Sequence, residues 1–246
     1  MNNKLWLYWE CKKGIQTPKH ILQCYETIKR HCKCMDIVFL NEITVDDYLP
    51  GLYDKIKYLP QIAHRADIIR YYLLEKFGGL WLDIDTIILR NIEPLIHELN
   101  RKKVSCIGYG DIFTTGFPLI GVLWSTYPGS KIFTEMIEKV QVIYMEKTCP
   151  CWDQIGGYLL KAVIKQYKDE CYPMKLKTFF PFNITHGPLD RMVLFNKTHN
   201  IDDTLQNENI YGQSLPNHIL TEDVLNKKNS IYNKMLQYSL GGVNNV

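Results

Sequence analysis

The chain has 246 residues, 46% apolar and 22% charged. That composition belongs to a folded protein with a large core and excludes a disordered one. Lys and Arg number 29 against 26 Asp and Glu, a net charge of +3, too small for a general nucleic-acid or membrane-surface binder. No apolar run is long enough to span a bilayer, and the N-terminus does not read as a signal peptide. A cytoplasmic protein is therefore expected, with its 8 cysteines as reduced thiols. Cys32-Lys33-Cys34 and Cys149-Pro150-Cys151 are C-x-C pairs without a following His pair, which is not zinc-ligand spacing. Asn183-Ile184-Thr185 and Asn196-Lys197-Thr198 fit a glycosylation acceptor but carry no weight without export.

Strands and helices alternate along the chain. Leu5 to Trp9 reads as a first strand, and Pro18 to Arg30 as an amphipathic helix with Ile21, Leu22, Tyr25 and Ile28 at helical spacing. A second strand is predicted over Met35–Leu40. Residues 41–60 are turn-rich, with Pro50-Gly51 and Pro60 as breaks. Ile62 to Phe77 is the clearest helix, free of Gly and Pro and stopped by Gly78-Gly79. Leu80-Trp81-Leu82 follows as a buried strand running into Asp83-Ile84-Asp85, and Thr86–Leu89 is apolar and β-branched. Further strands are predicted at Val104–Gly108, Leu119–Trp124 and Lys175–Phe180, and helices at Lys131–Met145 and Ile155–Tyr167. Residues 181–230 read as loop-rich. With no repeat and no linker, the pattern predicts one α/β domain with an irregular C-terminal third. His20, His31 and His97 are expected at the surface, and Asp46-Asp47 and Asp202-Asp203 as solvated loop acids. His64, three residues before Asp67, is a candidate to line the same pocket.

The chemistry concentrates between Ala63 and Thr86. A buried strand ends in two acids one residue apart, and open α/β sheets bind ligands at the carboxyl ends of their strands. Asp83 and Asp85 there make a hard oxygen site suited to Mg²⁺ or Mn²⁺. Such an ion holds substrate phosphates and stabilises a leaving diphosphate as a Lewis acid. Asp85, the acid that reaches past the strand end, is expected to be the more direct ligand. Asp67 and Arg70, three apart on the preceding helix, share one face. The carboxylate can accept from sugar or ribose hydroxyls, and the guanidinium can hold hydroxyl or phosphate oxygens. The plain alternative is a helix ion pair worth about 0.2–0.5 kcal/mol.

This string resembles the DXD-motif glycosyltransferases of the GT-A fold, the group that includes the capsular polysaccharide synthesis proteins, the fungal α-mannosyltransferases and the glucosylating clostridial toxins. Their pattern, Ala-x-x-Ser-Asp-x-x-Arg, a few apolar residues, Tyr-Gly-Gly, a short strand and Asp-x-Asp, is matched by Ala63, Asp67, Arg70, Leu73, Leu74, Phe77, Gly78, Gly79, Asp83 and Asp85. Ala66 replaces the Ser and Phe77 the Tyr. The likeness is strong over residues 60–95 and faint elsewhere, where Thr17-Pro18, Phe179-Phe180-Pro181 and Trp152-Asp153-Gln154-Ile155-Gly156-Gly157 fit in place. It implies a GT-A, Rossmann-like nucleotide-sugar-binding domain with a mixed central sheet. Residues 1–125 would be its nucleotide-sugar-binding half, and 126–246 its acceptor-side half and C-terminal lid.

The resemblance further implies a metal-dependent, retaining hexosyltransferase taking a nucleotide sugar, preferably a UDP-sugar, to a glycan or other hydroxyl acceptor in polysaccharide biosynthesis. It makes Asp83, Asp85, Asp153 and Gln154 the catalytic candidates. Tyr8 or Trp9 would stack on the base, with Trp9 preferred because it ends its strand. Asp67, Arg70 and Asp83 would hold the rest of the donor. Asp83 and Asp85 would bind Mn²⁺ or Mg²⁺, with a further ligand from Ser214, Asn217 or His218 in a segment, 211–218, that closes over the diphosphate. Two alternatives stand beside this: a haloacid-dehalogenase-like phosphatase, whose first strand also ends in Asp-x-Asp, and a catalytically silent sugar-nucleotide-binding module.

Overall fold

A computed structural model describes residues 3–11, 15–147, 149–151, 153–182, 201–215, 225–227 and 229–241. In chain order its elements are β1 (Lys4–Tyr8), α1 (Lys19–His31), β2 (Asp36–Leu40), α2 (Leu52–Ile56), α3 (Ile62–Phe77), β3 (Gly79–Leu82), β4 (Thr86–Ile88), α4 (Glu93–Leu99), β5 (Val104–Tyr109), β6 (Phe117–Ser125), α5 (Lys131–Met145), α6 (Gly157–Ile164), β7 (Cys171–Met174) and β8 (Gly212–Ser214). Two further helices span Asp202–Gln206 and Ile231–Ser239. The chain packs as two compact units. One comprises Met1–Gly14, Met35–Leu82 and Leu95–Lys175, and the other Ile15–Cys34, Asp83–Pro94 and Leu176–Val246.

The first unit holds a six-stranded mixed sheet in the order β2-β1-β3-β6-β5-β7. Strands β2, β1 and β3 run parallel, β6 is antiparallel to both β3 and β5, and β7 is parallel to β5. Leu5, Trp6 and Leu7 are all fully buried, as expected of a central strand covered on both faces. Helices α3, α5 and α6 pack on one another, and their apolar side chains form one core with Trp6, Tyr8, Trp81 and Leu123. Because β1 and β3 are parallel neighbours, both end at the same edge of the sheet, at Tyr8 and Leu82.

The second unit is built on a two-stranded antiparallel ladder, with Thr86 opposite Ser214 and Ile88 opposite Gly212. Helix α1 covers β4, and the Thr27 hydroxyl accepts from the Ile88 N–H while donating to the Cys24 carbonyl. The helix Ile231–Ser239 packs on β4 and on α1: the Ser239 hydroxyl donates to the Ile88 carbonyl at 2.5 Å. Cys24, Ile87, Leu215, Ile231 and Met235 form its core.

Most predicted elements are present within a residue or two, and α3 and α5 have the expected bounds. The differences have local causes. The strand expected over Lys175–Phe180 is instead β7, earlier in the chain, and Leu176–Thr178 is a 3-10 turn. Pro173 lies inside β7, which is tolerated because β7 is an edge strand. Helix α6 begins at Gly157 rather than Ile155, because the chain passes so close to Phe117 that a Cβ at Gly157 would overlap its ring. Four helices escaped the periodicity reading: α2 lies in the stretch read as turn-rich, Asp202–Gln206 in the stretch read as loop-rich, and α4 and Ile231–Ser239 are the other two. Helix α4 carries Pro94 in its first turn, and the Glu93 N–H is held by the Asn91 side chain at 3.0 Å. The helix Ile231–Ser239 is capped by Ser230, whose hydroxyl accepts from the Asn233 N–H at 3.2 Å. His97 is exposed as expected, but His20 is buried and His31 is half-buried with its ring on the Ser239 carbonyl. Both glycosylation triplets lie outside the described residues.

The turn from α3 into β3 is made by glycines in the left-handed half of backbone space, Gly78 at φ 65° and Gly79 at φ 96°. A Cβ on Gly79 would overlap the Lys4 carbonyl oxygen of β1. Gly51 also has positive φ, 71°, but no atom lies within 4 Å of its Cβ position. Gly51→Ala should therefore cost only the backbone strain, about 1–2 kcal/mol, whereas Gly79→Ala should cost about 3 kcal/mol or more because overlap with backbone is added. Urea denaturation of the two variants measures the difference; equal losses would show that the approach to β1 is not a constraint.

Candidate functional site

Helix α3 is buried almost all round, its ionisable residues included: His64 is 2% exposed, Arg65 7%, Asp67 6% and Arg70 4%. Charges so placed must be paired to persist. Arg65 reaches the residue after Trp9, Glu10, with two contacts, Nε to Oε2 at 2.9 Å and Nη2 to Oε1 at 2.6 Å. Its remaining nitrogen donates to the Leu59 carbonyl. Tyr8 and Tyr53 donate their hydroxyls to the same carboxylate at 2.9 and 3.0 Å. Glu10 and Arg65 are the residues that sequence reasoning missed. A lone acid just past a predicted strand and an Arg on the inner face of a helix were the available signal.

Asp67 and Arg70 do pair, Oδ1 to Nη2 at 3.0 Å. Arg70 also donates to the Ile120 and Ala66 carbonyls, and its guanidinium lies 4.8 Å from the centre of the Trp81 ring. The pair is far from the exposed helix pair weighed in the sequence: removing one partner of a buried pair costs about 3–5 kcal/mol. Asp67 Oδ2 and Asp153 Oδ1 converge on Gly156, 3.4 and 3.5 Å from where its Cβ would stand. His64 faces Asp153. Burial lowers the His64 imidazole below its usual value while Asp153 pulls it up, and partial burial raises the Asp153 carboxyl against the pull of His64. Asp153 and Gln154 line, with Cys151 and Tyr158, a cavity of about 640 Å³. The Gln154 side chain accepts from the Cys151 N–H at 2.9 Å.

Tyr8 is 5% exposed and belongs to the core, whereas Trp9 is half-buried and its indole nitrogen has no hydrogen-bond partner among the described residues.

In the second unit, Asp83 and Asp85 are both half-buried and flank the turn that leads into β4. Asp85 is held from the backbone side: its carbonyl accepts the Leu215 N–H at 2.9 Å. Its charge also contributes, after burial, to raising the Cys24 thiol well above its usual value. The late segment therefore reaches the Asp85 backbone as the strand β8 and Leu215, not as irregular loop. Ser214 stands opposite Thr86. Trp152, Asn217 and His218 lie outside the described residues. Among the described residues no group of three or more His, Cys, Asp or Glu is gathered closely enough to hold a metal ion. The described cysteines are free thiols, and no described helix is long and apolar enough to cross a membrane.

The fold is that of the GT-A glycosyltransferases. It matches the galactosyltransferase LgtC, solved with donor and acceptor sugar analogues, with a TM-score of 0.51 at 12% identity over 99% of this chain and 97% of that one. It matches the apo form of the glycosyltransferase GlyE of Streptococcus pneumoniae with a TM-score of 0.54 at 15% identity over 98% of this chain and 60% of that one. The chain belongs to the capsular polysaccharide synthesis protein family, whose pattern matches residues 1–180. Among curated proteins it is 36% identical to inositol phosphoceramide mannosyltransferase 3 of Schizosaccharomyces pombe over 58 residues, 24% of this chain and 16% of that protein. It is 29% identical to mannosyl phosphorylinositol ceramide synthase CSH1 of Saccharomyces cerevisiae over 96 residues, 32% of this chain and 26% of that protein. The match thus spans about a quarter or less of the length of these relatives. The phosphatase alternative is not favoured by fold or family.

Burial pushes the Glu10 carboxyl up, but the hydrogen bonds from Arg65, Tyr8 and Tyr53 outweigh it and hold the group below its usual value. The folded state thus binds this proton less readily than the unfolded chain. The resulting stability is present at neutral pH and is lost as pH falls below about 4.5. Glu10→Gln should lose about 3–5 kcal/mol at neutral pH and show a shallower further fall between about pH 5 and about pH 3. Urea midpoints across that range test this; parallel falls in both proteins would mean that Glu10 is not the titrating group.

Proposed function

We propose that the protein is a glycosyltransferase that moves a hexose from a nucleotide sugar, preferably a UDP-sugar, to a glycan or other hydroxyl acceptor, with a divalent cation and retention of configuration. The observation that carries this reading is membership of the capsular polysaccharide synthesis family in a chain where Asp83 and Asp85 directly follow β3. Two carboxylates at the end of a parallel strand suit a hard cation that takes its other ligands from a diphosphate and water. Both acids are half-buried, so neither is sealed in the core. Asp83 and Asp85 would hold Mn²⁺ or Mg²⁺, with Asn217 or His218 as a further ligand. When bound, the ion neutralises charge on the departing diphosphate.

The other roles fall to single residues. Trp9 takes the base, because Tyr8 is committed to the core and to Glu10. Asp67 and Arg70 bind the donor in addition to each other. Asp153 and Gln154 serve the reacting sugar, with the Tyr158 ring, 63% exposed, as a face for the acceptor. The relatives named for mannosyl transfer to an inositol phosphoceramide make an inositol-bearing acceptor worth including beside simple glycans.

The test is turnover of a panel of UDP-, GDP- and TDP-sugars with Mn²⁺, alongside a thermal-shift screen. A bound donor at about 100 times its Kd raises stability by about 2.7 kcal/mol. Asp85→Asn should lower kcat/KM about 100-fold or more, since several kcal/mol of charge stabilisation are lost, with the melting temperature unchanged. Full turnover in EDTA would exclude the metal. Binding of a donor without transfer or hydrolysis would leave the silent module.

A further inference from the structure

The sheet-bearing unit has a second cavity, at the edge opposite to the one where β1 and β3 end. It holds about 880 Å³ and is lined by Lys4, Lys76, Phe77, His97, Arg101 and Thr126, with Pro128 at its side. Three separate elements bring the cations: Lys4 opens β1, Lys76 closes α3, and Arg101 follows α4. Among the described residues no carboxylate lines it.

The sign of the cavity is set by what has been removed from it as well as by what lines it. Two helices end here, and open carbonyls at their C-termini would make the mouth attractive to cations. Several of those carbonyls are taken by protein donors. Gly78 N–H bonds Leu74 at 3.0 Å, Gly129 N–H bonds Glu75 at 2.7 Å, and the Trp6 indole bonds Gly78 at 2.8 Å. At α4, the Asn100 side chain bonds Ile96 at 3.0 Å, Arg101 N–H bonds Glu98 at 3.1 Å, and Lys102 N–H bonds Leu99 at 2.8 Å. The charged side chains that line the space are cations. Lys4 is paired at 2.8 Å with Asp36, an acid 65% exposed at its side chain. Lys76 gives one bond to the Tyr48 carbonyl at 2.8 Å. An ammonium has three donors, and Lys76 gives one of them to this carbonyl. The Arg101 side chain has no partner among the described residues.

Scattered surface lysines are ordinary. A concave space with cations from three elements, no lining acid and an apolar wall at Phe77 and Pro128 is not scattered; it has the form of a ligand site with a few convergent polar groups. We propose that this cavity is a second ligand site, separate from the sugar-transfer residues, that takes a phosphate-bearing compound. The phosphoryl oxygens lie against Lys76 and Arg101, whose planar fork matches them, and the apolar part of the ligand lies against Phe77 and Pro128. The phosphate can belong to a soluble metabolite or to a phospholipid headgroup.

The experiment measures binding of inorganic pyrophosphate to the full chain by calorimetry in EDTA, which silences a metal-dependent donor site. Flotation with vesicles of phosphatidylcholine alone, or with added phosphatidylinositol, runs in parallel. Arg101→Glu and the milder Arg101→Gln, both at an exposed position, should weaken binding at least tenfold and about threefold respectively, with unchanged melting temperature. Asp85→Asn should bind as the wild type does. Flotation only with phosphatidylinositol, lost in Arg101→Glu, assigns a lipid headgroup; pyrophosphate binding without flotation assigns a soluble ligand. Failure of both probes to bind, or equal binding by both Arg101 variants, overturns the proposal, and neither result bears on the sugar-transfer reading.

Discussion

The first unit depends on how closely the junction between α3 and β3 lies against the start of β1. Gly78 and Gly79 take backbone angles that a side chain resists, and the Lys4 carbonyl occupies the space where a Cβ on Gly79 would stand. The Trp6 indole then bonds the Gly78 carbonyl, and its ring packs within 5.4 Å of Phe77. This contact sets β3 beside β1 in parallel and lays α3 over both. The shared edge where the two strands end follows from it.

Helix α3 carries four buried ionisable residues, His64, Arg65, Asp67 and Arg70. Buried ion pairs are often no more stabilising than apolar residues of the same volume, so four buried ionisable residues on one helix are not a stability device. Glu10 and Arg65 satisfy each other, with Tyr8, Tyr53 and the Leu59 carbonyl completing the set; this cluster stiffens the chain just after Trp9. Asp67 and Arg70 are different. One oxygen of Asp67 holds Arg70, and the other turns to Gly156 beside Asp153. A Cβ at position 156 would press on the Ile120 side chain at 3.1 Å and reach both carboxylates at ordinary contact distance.

The second unit solves a separate problem, that of holding a short strand just after two acids. Strand β4 has three residues, too few to stand alone. The partner comes from far along the chain, as β8, and the Leu215 N–H fixes the backbone of Asp85 directly. Two helices complete the burial at the free edge of β4, through Thr27 and Ser239 on the Ile88 backbone. Neutral hydrogen bonds to the backbone, from Leu215, Thr27 and Ser239, thus help the ladder with β8 to hold the β4 region.

The motif from Ala63 to Asp85 was readable as it stands because its signals are local. A helix without Gly or Pro, a glycine stop, a short apolar strand and two acids each follow from neighbours in sequence. The α/β class and the bounds of α3 and α5 followed for the same reason. Other features needed the folded chain. Glu10 meets Arg65, 55 positions later, only because β1 lies under α3. Asp67 and Asp153, far apart in sequence, both come close to Gly156 only in the folded chain. β7 was missed because Pro173 forbids a central strand, and only the sheet order shows that this strand is at the edge. The residues and their chemistry were written in sequence order. Which of them face each other was decided by tertiary packing, because hydrogen bonds and ion pairs form between atoms a few ångströms apart, whatever their separation along the chain.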